Sequence, residues 1–176
     1  MLHLSIDSLS NGVLARSMPK FHGSLERKNA VYFRGMNVVG DGTTPNVGGF
    51  LTGLSEGKSG SEPNYPMGEA RRGYLGADYI DDWPWIWKKM QKYGWLTGAG
   101  VHDLPRMGAF TMRLRGFKEQ PVDHWLYPWI SYATERSENR CYAGEFQYSH
   151  VLRYALDFLF EYSKGKDELE SEELGQ

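Results

Sequence analysis

The stretch Val38-Val39-Gly40-Asp41-Gly42-Thr43-Thr44-Pro45-Asn46 decides the fold of this chain. Its apolar start is typical of a strand, and its two glycines allow the dihedral angles of a sharp turn. Pro45 suits the first turn of a helix, where the N–H that proline lacks would have no partner within the helix. The stretch therefore predicts a strand, a tight turn and a helix start, with a threonine hydroxyl at the junction.

A hydroxyl at this junction has two interpretations, and the local sequence leaves both open. The backbone N–H groups and the dipole of a helix start favour an anion such as phosphate or sulfate, so a nucleophile at Thr43 or Thr44 would lie beside it. Alternatively, Thr43 is the N-cap of the helix, because threonine is favoured at that position.

The composition is that of one soluble globular domain. The chain has 176 residues, a net charge of −2 and 14% aromatic residues, which argues for a core and against disorder. Its basic residues are scattered, so we expect no nucleic-acid partner. No apolar run approaches the roughly 20 residues that a membrane span needs, so we expect no membrane span in this chain. Cys141 is the single cysteine, either a buried thiol or half of a bridge to another chain.

The order of the elements predicts an α/β fold, with a mainly parallel sheet and flanking helices. Strands are predicted over 2–6, 31–39 and 95–101, and helices over 10–25, with breaks near Pro19 and Gly23, from Pro45 onward, and over 146–162. A long surface loop is expected over 58–79. We expect one partial domain over 1–163 and an acidic solvated tail over 164–176, and both ends of the chain look cut.

A tryptophan-rich segment follows the predicted loop. Asp82 and Pro84 are typical of a helix start, and the apolar residues after Asp82 at helical spacing predict a buried stripe. These residues are Trp83, Ile86, Trp87 and Met90. Trp85 lies off the stripe, and an exposed platform for a sugar is an alternative there.

Two chemically capable side chains lie at the ends of two predicted strands. Asp7 closes the first strand, and Thr43 follows the second. Because the carboxyl ends of neighbouring parallel strands meet at one crevice, these side chains are expected to converge. A carboxylate and a hydroxyl could then share a divalent metal, which would lower the pKa of the hydroxyl and neutralise a phosphate or sulfate ester. The alternative is that Asp7 caps the following helix.

The chain resembles the DUF229 family of sulfatase-like proteins, within the alkaline phosphatase superfamily. The motifs that carry the resemblance occur in order along nearly the whole chain: 6–10, 16–20, 39–46, 51–53, 87–93, 116–124 and 141–144. The resemblance implies the first part of an alkaline-phosphatase-like domain. It implies Asp7 as a metal ligand and Thr43, two positions before the proline, as a nucleophile that also binds the metal. Backbone and side-chain donors at Thr44 and Asn46 would hold the anion.

The implied activity is the hydrolysis of a phosphoric or sulfuric ester with a divalent metal, zinc or calcium. The implied substrate is a small-molecule, glycan or lipid ester, and the full-length relatives tend to be secreted or membrane-anchored. His102 and Asp103, just beyond the third predicted strand, could reach the rim of the site, although the family tends to have an acidic pair there.

The site is expected to be incomplete. Members of the superfamily complete their metal sites with Asp and His residues from a later segment, and we expect His124 and His150 to be solvated or capping residues instead. The chain alone is therefore expected to be a catalytically inert and marginally folded fragment. The alternatives are a non-catalytic extracellular binding module on the same fold, and a truncated product without a role of its own.

Overall fold

The computed structural model describes residues 1–56, 64–65, 79–101, 108–111, 114–137 and 141–173, and within these ranges the backbone mixes helices with short strands. The helices are α1 (Asn11–Ser17), α2 (Pro19–Arg27), α3 (Thr43–Thr52), α4 (Ile86–Lys92), α5 (Tyr127–Glu135) and α6 (Gln147–Glu173). The strands are β1 (Ser55–Glu56), β2 (Asn64–Tyr65), β3 (Gly98–Ala99), β4 (His124–Trp125), β5 (Cys141–Tyr142) and β6 (Glu145–Phe146). Most of the loop predicted over 58–79 lies outside the described residues.

The described strands form three pairs. β1 pairs with β2 and β3 with β4, both parallel, and β5 pairs with β6 in an antiparallel hairpin that contains Cys141. The coarse prediction of an α/β fold with parallel pairing is therefore confirmed. A continuous parallel sheet is not formed by the described residues.

The strands predicted over 2–6 and 31–39 are wrong, since neither range contains a strand. A strand needs a neighbour to take up its N–H and C=O groups. Neither range forms a ladder within the described chain, and apolar side chains such as those of Leu2 and Phe33 are exposed. The third predicted strand, over 95–101, is reduced to the two residues of β3.

The chain divides into two compact units, Met1–Val38 and Val39–Gln176. In the first unit, Ser10 caps α1 by accepting a hydrogen bond from the backbone N–H of Val13 at 3.2 Å. Pro19 begins α2, so the predicted break at this proline is confirmed. The break predicted near Gly23 is wrong, because α2 continues to Arg27; an interior glycine costs a helix only about 1 kcal/mol.

The core of the second unit is built around Trp85, which is 1% exposed. The indole N–H of Trp85 donates to the carbonyl of Ile80 at 2.7 Å, and its ring stacks on Trp87 with 4.7 Å between centroids. The buried cluster consists of Ile80, Trp85, Ala109, Phe110 and Leu114. The sugar-platform interpretation of Trp85 is therefore wrong. The helix begins at Ile86, later than predicted, which turns Trp85 inward and leaves Ile86 exposed.

The predicted helix over 146–162 is confirmed as α6, which packs on β3. A Cβ atom at Gly98 would lie 3.0 Å from the ring of Phe158, and one at Gly100 would lie 3.2 Å from a methyl group of Val151. The absence of side chains on the two glycines thus lets α6 approach the strand closely. α6 continues to Glu173, across most of the range predicted as a solvated tail.

Candidate functional site

The turn before α3 is set by a glycine. Gly42 is the N-cap of α3 and has a φ of 86°, a left-handed value that residues with a side chain rarely adopt. Thr43 is the first helical residue and is half-buried, and Pro45 lies in the first turn as predicted. The interpretation of Thr43 as the N-cap is therefore wrong. Because the cap residue is a glycine, no cap side chain accepts from the N–H groups of the first turn.

The side chain of Asn46 holds this turn together. Its Oδ1 accepts from the backbone N–H of Val39 at 2.9 Å, and its Nδ2 donates to the carbonyls of Gly40 at 2.9 Å and Gly42 at 2.7 Å. Both amide hydrogens are thus committed to the turn. Donation from Asn46 to an anion, which the sequence analysis predicted, would require one of these bonds to break, and that role stays a prediction.

Thr44 contributes a buried hydroxyl beside Thr43. The residue is 2% exposed, and its Oγ1 has no hydrogen-bond partner among the described residues. Thr44 precedes Val47 and Leu51 at helical spacing, and both of these side chains pack against the Trp85 cluster. Burying a hydroxyl without a partner costs about 1–3 kcal/mol. The start of α3 therefore holds a polar group that a ligand atom or a water molecule could satisfy.

Asp7 lies in the other compact unit, Met1–Val38, and is exposed. Its Oδ1 accepts from the backbone N–H of Ser8 at 2.8 Å, and Ser8 has a φ of 57°. The alternative of Asp7 as a helix cap is wrong, because Ser10 caps α1. Asp7 and Thr43 belong to separate units, so their sharing of a metal stays a prediction.

The remaining candidate residues differ in where they lie. His102 and Asp103 are outside the described residues. His124, in β4, has its Nε2 at 2.9 Å from the hydroxyl of Tyr162, and His150, in α6, has its Nε2 at 3.2 Å from the carbonyl of Tyr142. Both histidines are half-buried and each makes one of these contacts, and the expectation that they are solvated or capping residues stays a prediction.

The described residues do not form a metal centre by themselves. Within the described ranges, no three His, Cys, Asp or Glu side chains lie close enough together to hold an ion. A zinc site takes four ligands and a calcium site six to eight oxygens. The part of the chain that the structure describes also contains no helix long and apolar enough to cross a membrane.

Two carboxylates with structural roles were not singled out by the sequence analysis. Asp123 accepts from the hydroxyl and the N–H of Thr97, and these hydrogen bonds lower the pKa of its carboxyl group. Burial raises the pKa of Asp81, but hydrogen bonds from the N–H groups of Lys118 and Glu119 outweigh it, so that pKa is also lowered. The partners are distant in sequence, and no local motif could have revealed them.

The comparisons with known proteins place the chain in a family. The family model described as "Protein of unknown function (DUF229)" matches residues 1–166. The chain belongs to this family. The match covers the first compact unit of the DUF229 chain and most of the second, and it includes Asp7, the Gly42 turn and Thr43. No curated protein and no solved structure matches the chain.

Proposed function

We propose that this DUF229 protein contains the nucleophile-bearing part of a phosphoric or sulfuric ester hydrolase, on an alkaline-phosphatase-like fold. The proposal rests above all on the start of α3. There a glycine cap leaves the helix end without a capping side chain, and two adjacent threonines follow it. Thr43 is half-buried, and Thr44 is buried with no hydrogen-bond partner for its hydroxyl among the described residues. Membership in DUF229 adds no activity to this argument, since the function of the family is unknown.

The helix start favours an anionic substrate. The dipole of a helix stabilises a negative charge at its N-terminus by about 0.3–1 kcal/mol at an exposed site. α3 has 10 residues, so several peptide dipoles add along its axis. A tetrahedral phosphate or sulfate group placed there would meet the hydroxyl of Thr43 at the first helical position.

The chemistry assigned to Thr43 is a two-step displacement. Its Oγ1 forms a bond to phosphorus or sulfur while the bond from that atom to the departing oxygen breaks, and the hydroxyl proton of Thr43 passes through solvent to the departing oxygen, which leaves as an alcohol. Water then hydrolyses the ester formed on Thr43 and restores the hydroxyl. The Oγ1 of Thr44, which has no hydrogen-bond partner within the described ranges, donates to an oxygen of the bound anion.

The turn supplies rigidity to this arrangement. The three hydrogen bonds of Asn46 fix the backbone from Val39 to Gly42, and so fix the direction in which Thr43 leaves the turn. Preorganised groups of this kind lower the cost of reaching the transition state. Asn46 therefore acts as a positioning residue.

Asp7 is the one metal ligand that we propose, and the displacement at Thr43 is described without a metal ion. Asp7 would contribute one carboxylate to a zinc or calcium ion. The described residues do not fit a complete site, because no three ligating side chains converge among them. We therefore assign no step to the metal.

Trapping the covalent intermediate tests the proposal directly. Because the described residues do not complete a metal site, we expect no turnover by the 176-residue chain, and the experiment seeks a single labelling event instead. The chain is incubated with an aryl phosphodiester or an aryl sulfate, with and without zinc or calcium, and its peptides are analysed by mass spectrometry. We expect a phosphoryl or sulfuryl mass on the peptide that contains Thr43, absent in Thr43→Ala and retained in the matched control Thr52→Ala at the other end of α3. A label that persists in Thr43→Ala would refute the nucleophile assignment.

Anion titration provides a second readout that does not require turnover. Addition of sulfate or phosphate should shift the amide resonances of Gly42, Thr43 and Thr44, and those at the end of α3 should remain unchanged. If neither a label nor a shift at these amides is observed, the start of α3 is not an ester site and the proposal fails.

A further inference from the structure

The loop between α4 and β3 carries exposed aromatic and aliphatic side chains. Tyr93, Trp95 and Leu96 are exposed by 75%, 62% and 44%, and they lie within four consecutive residues. Neither of the two rings packs against another aromatic ring within the described ranges. Large apolar side chains that are exposed side by side are typical of an interaction surface. These three residues, together with Lys89 and Lys92 of α4, are here called the Trp95 patch.

A left-handed glycine ends α4 and forms the turn of this loop. Gly94 follows the C-cap residue Tyr93 and has a φ of 78°. The N–H groups of Gly94 and Trp95 donate to the carbonyls of Gln91 at 2.9 Å and Met90 at 3.2 Å. Because the chain itself takes up these N–H groups, contact with an apolar phase would leave neither of them unpaired.

The other end of the loop is fixed by hydrogen bonds to β4 and the residue before it. Thr97 directly follows Leu96, and its N–H and hydroxyl donate to the carboxylate of Asp123. The carbonyl of Thr97 accepts from the N–H of His124 at 3.0 Å. The loop is thus held at both ends, by α4 and by the strand pair. A loop fixed in this way loses little conformational entropy when a surface binds it.

Two lysines add positive charge beside the exposed rings. Lys92 directly precedes Tyr93, and Lys89 lies one helical turn before Tyr93 on the same side of α4. Both lysines are exposed, and neither forms an ion pair with a described residue. The stretch 86–96 contains three lysines and no aspartate or glutamate. Lysines in the last turn of a helix also offset its dipole, but that role does not explain the exposed rings beside them.

We propose that the Trp95 patch binds the surface of a membrane that contains anionic lipids. Tryptophan and tyrosine are enriched at the level of the lipid headgroups, where the ring is in an apolar layer and its polar group stays in contact with water. The stems of Lys89 and Lys92 can lie along that layer while their ammonium groups reach the lipid phosphates. Protein interfaces are depleted in lysine, so the two lysines favour a lipid surface over a protein partner. The patch shares no residue with the proposed ester site at the start of α3.

Cosedimentation of the 176-residue chain with lipid vesicles tests the binding. Vesicles of phosphatidylcholine with about 30% phosphatidylserine should bind the chain about 10-fold more tightly than vesicles of phosphatidylcholine alone. Binding to the anionic vesicles should fall in about 0.5 M salt, because salt screens exposed charges. Equal binding to both kinds of vesicle, or no binding to either, would overturn the proposal.

Variants of the patch separate its apolar and charged contributions to vesicle binding. Trp95→Ala should lower the partition coefficient by at least about 10-fold, and Trp95→Tyr should retain most of the binding. The double variant K89Q/K92Q should lower binding to anionic vesicles by about 10-fold and leave binding to phosphatidylcholine unchanged. Phe33→Ala and Lys20→Gln, at exposed positions of the other compact unit, are the matched controls. Losses in these controls equal to those in the patch would overturn the proposal.

Fluorescence quenching by brominated lipids locates the contact on the chain. The chain has six tryptophans, and a brominated lipid quenches those that reach the bilayer. Trp95→Tyr should still bind the anionic vesicles but lose most of the quenching. Circular dichroism of each variant establishes that it is folded, so a loss of binding reports on the surface itself. Quenching that persists in Trp95→Tyr would place another tryptophan at the lipid and overturn the proposal.

Discussion

The carboxylate of Asp123 accepts two hydrogen bonds from Thr97, one from its backbone N–H at 2.8 Å and one from its hydroxyl at 2.7 Å. The N–H of Asp123 donates back to the same hydroxyl at 3.2 Å. Thr97 precedes β3 and Asp123 precedes β4, so this exchange fixes the register in which Gly98 pairs with His124. The three hydrogen bonds between Asp123 and Thr97, here called the Asp123 clamp, thus define a strand pair that is only two residues long.

The Asp123 clamp predicts a dependence of stability on pH. The hydrogen bonds from Thr97 lower the folded-state pKa of Asp123, so protonation favours the unfolded chain. The contribution is fully present above the unfolded pKa, about 3.9, and is lost as the pH falls through the lower folded value. Urea unfolding followed from neutral pH to pH ~3 should show this loss. In Asp123→Asn the corresponding part of the pH dependence should be absent, and an unchanged profile would contradict the assignment.

Removal of the hydroxyl group should have different effects on stability at Thr97, which is buried, and at Thr111, which is half-buried. The hydroxyl of Thr97 bonds to Asp123 and accepts from Gln91 at 3.1 Å, so Thr97→Val should lower the free energy of unfolding by about 1–3 kcal/mol. The buried Oγ1 of Thr111 has no partner among the described residues, so Thr111→Val should be neutral or stabilising. Chemical denaturation of both variants measures the difference. Equal losses of unfolding free energy in the two variants would show that the hydrogen bonds between Thr97 and Asp123 do not account for the effect of Thr97→Val.

A methyl group at Gly98 should disturb the contact between β3 and α6. Its Cβ would lie 3.0 Å from the ring of Phe158, which is too close without a shift, so Gly98→Ala should cost about 1–3 kcal/mol of unfolding free energy. Gly35→Ala, where a Cβ would meet nothing within 4 Å, is the control. Combining Gly98→Ala with Phe158→Leu should recover part of the loss, and full additivity of the two costs would argue against a clash.

Removing the Asn46 side chain should loosen the turn before Thr43. Asn46→Ala deletes three hydrogen bonds and leaves three backbone groups to be satisfied by water, at a cost of about 1–3 kcal/mol. Asn46→Asp keeps the acceptor for Val39 but loses both donors, so its stability should be intermediate or lower. Hydrogen exchange of the Val39 amide reports on the turn itself, and unchanged protection in Asn46→Ala would contradict this role.

Replacing Thr44 by valine should separate stability from anion binding. Valine has a similar shape and removes a hydroxyl that has no partner in the part of the chain that the structure describes, so Thr44→Val should stabilise the fold by up to about 1 kcal/mol. The same change should weaken the response of the α3 amides to sulfate. Thermal unfolding and anion titration of one protein sample measure the two effects, and tighter sulfate binding by Thr44→Val would exclude its hydroxyl from the site.

Local features of this chain were predictable from sequence, and long-range ones were not. Pro45 and the glycines of the turn led to the start of α3 within a residue or two, because the dihedral limits of glycine and proline act locally. The segments 2–6 and 31–39 do not form the predicted strands, since an apolar pattern cannot show whether a neighbouring strand is present.

In the candidate site, too, local features were predictable from sequence and long-range ones were not. The position of Thr43 at the helix start follows from its neighbours in sequence. The commitment of Asn46 to three backbone groups depends on the shape of the turn, and the burial of Thr44 depends on how α3 packs against the Trp85 cluster. The burial of Trp85 could not be predicted locally, because the start of α4, two residues after Pro84, changes which side chains face inward.

During synthesis of the chain, β3 is made before the helix α6 that packs on Gly98. Gly98 leaves the ribosome before residue 148, and at roughly 5–20 residues per second the delay is on the order of seconds. During this time the bare backbone of β3 lacks the ring of Phe158 that later shields it. Nascent chains halted before α6 should therefore bind chaperones more strongly than chains halted after it.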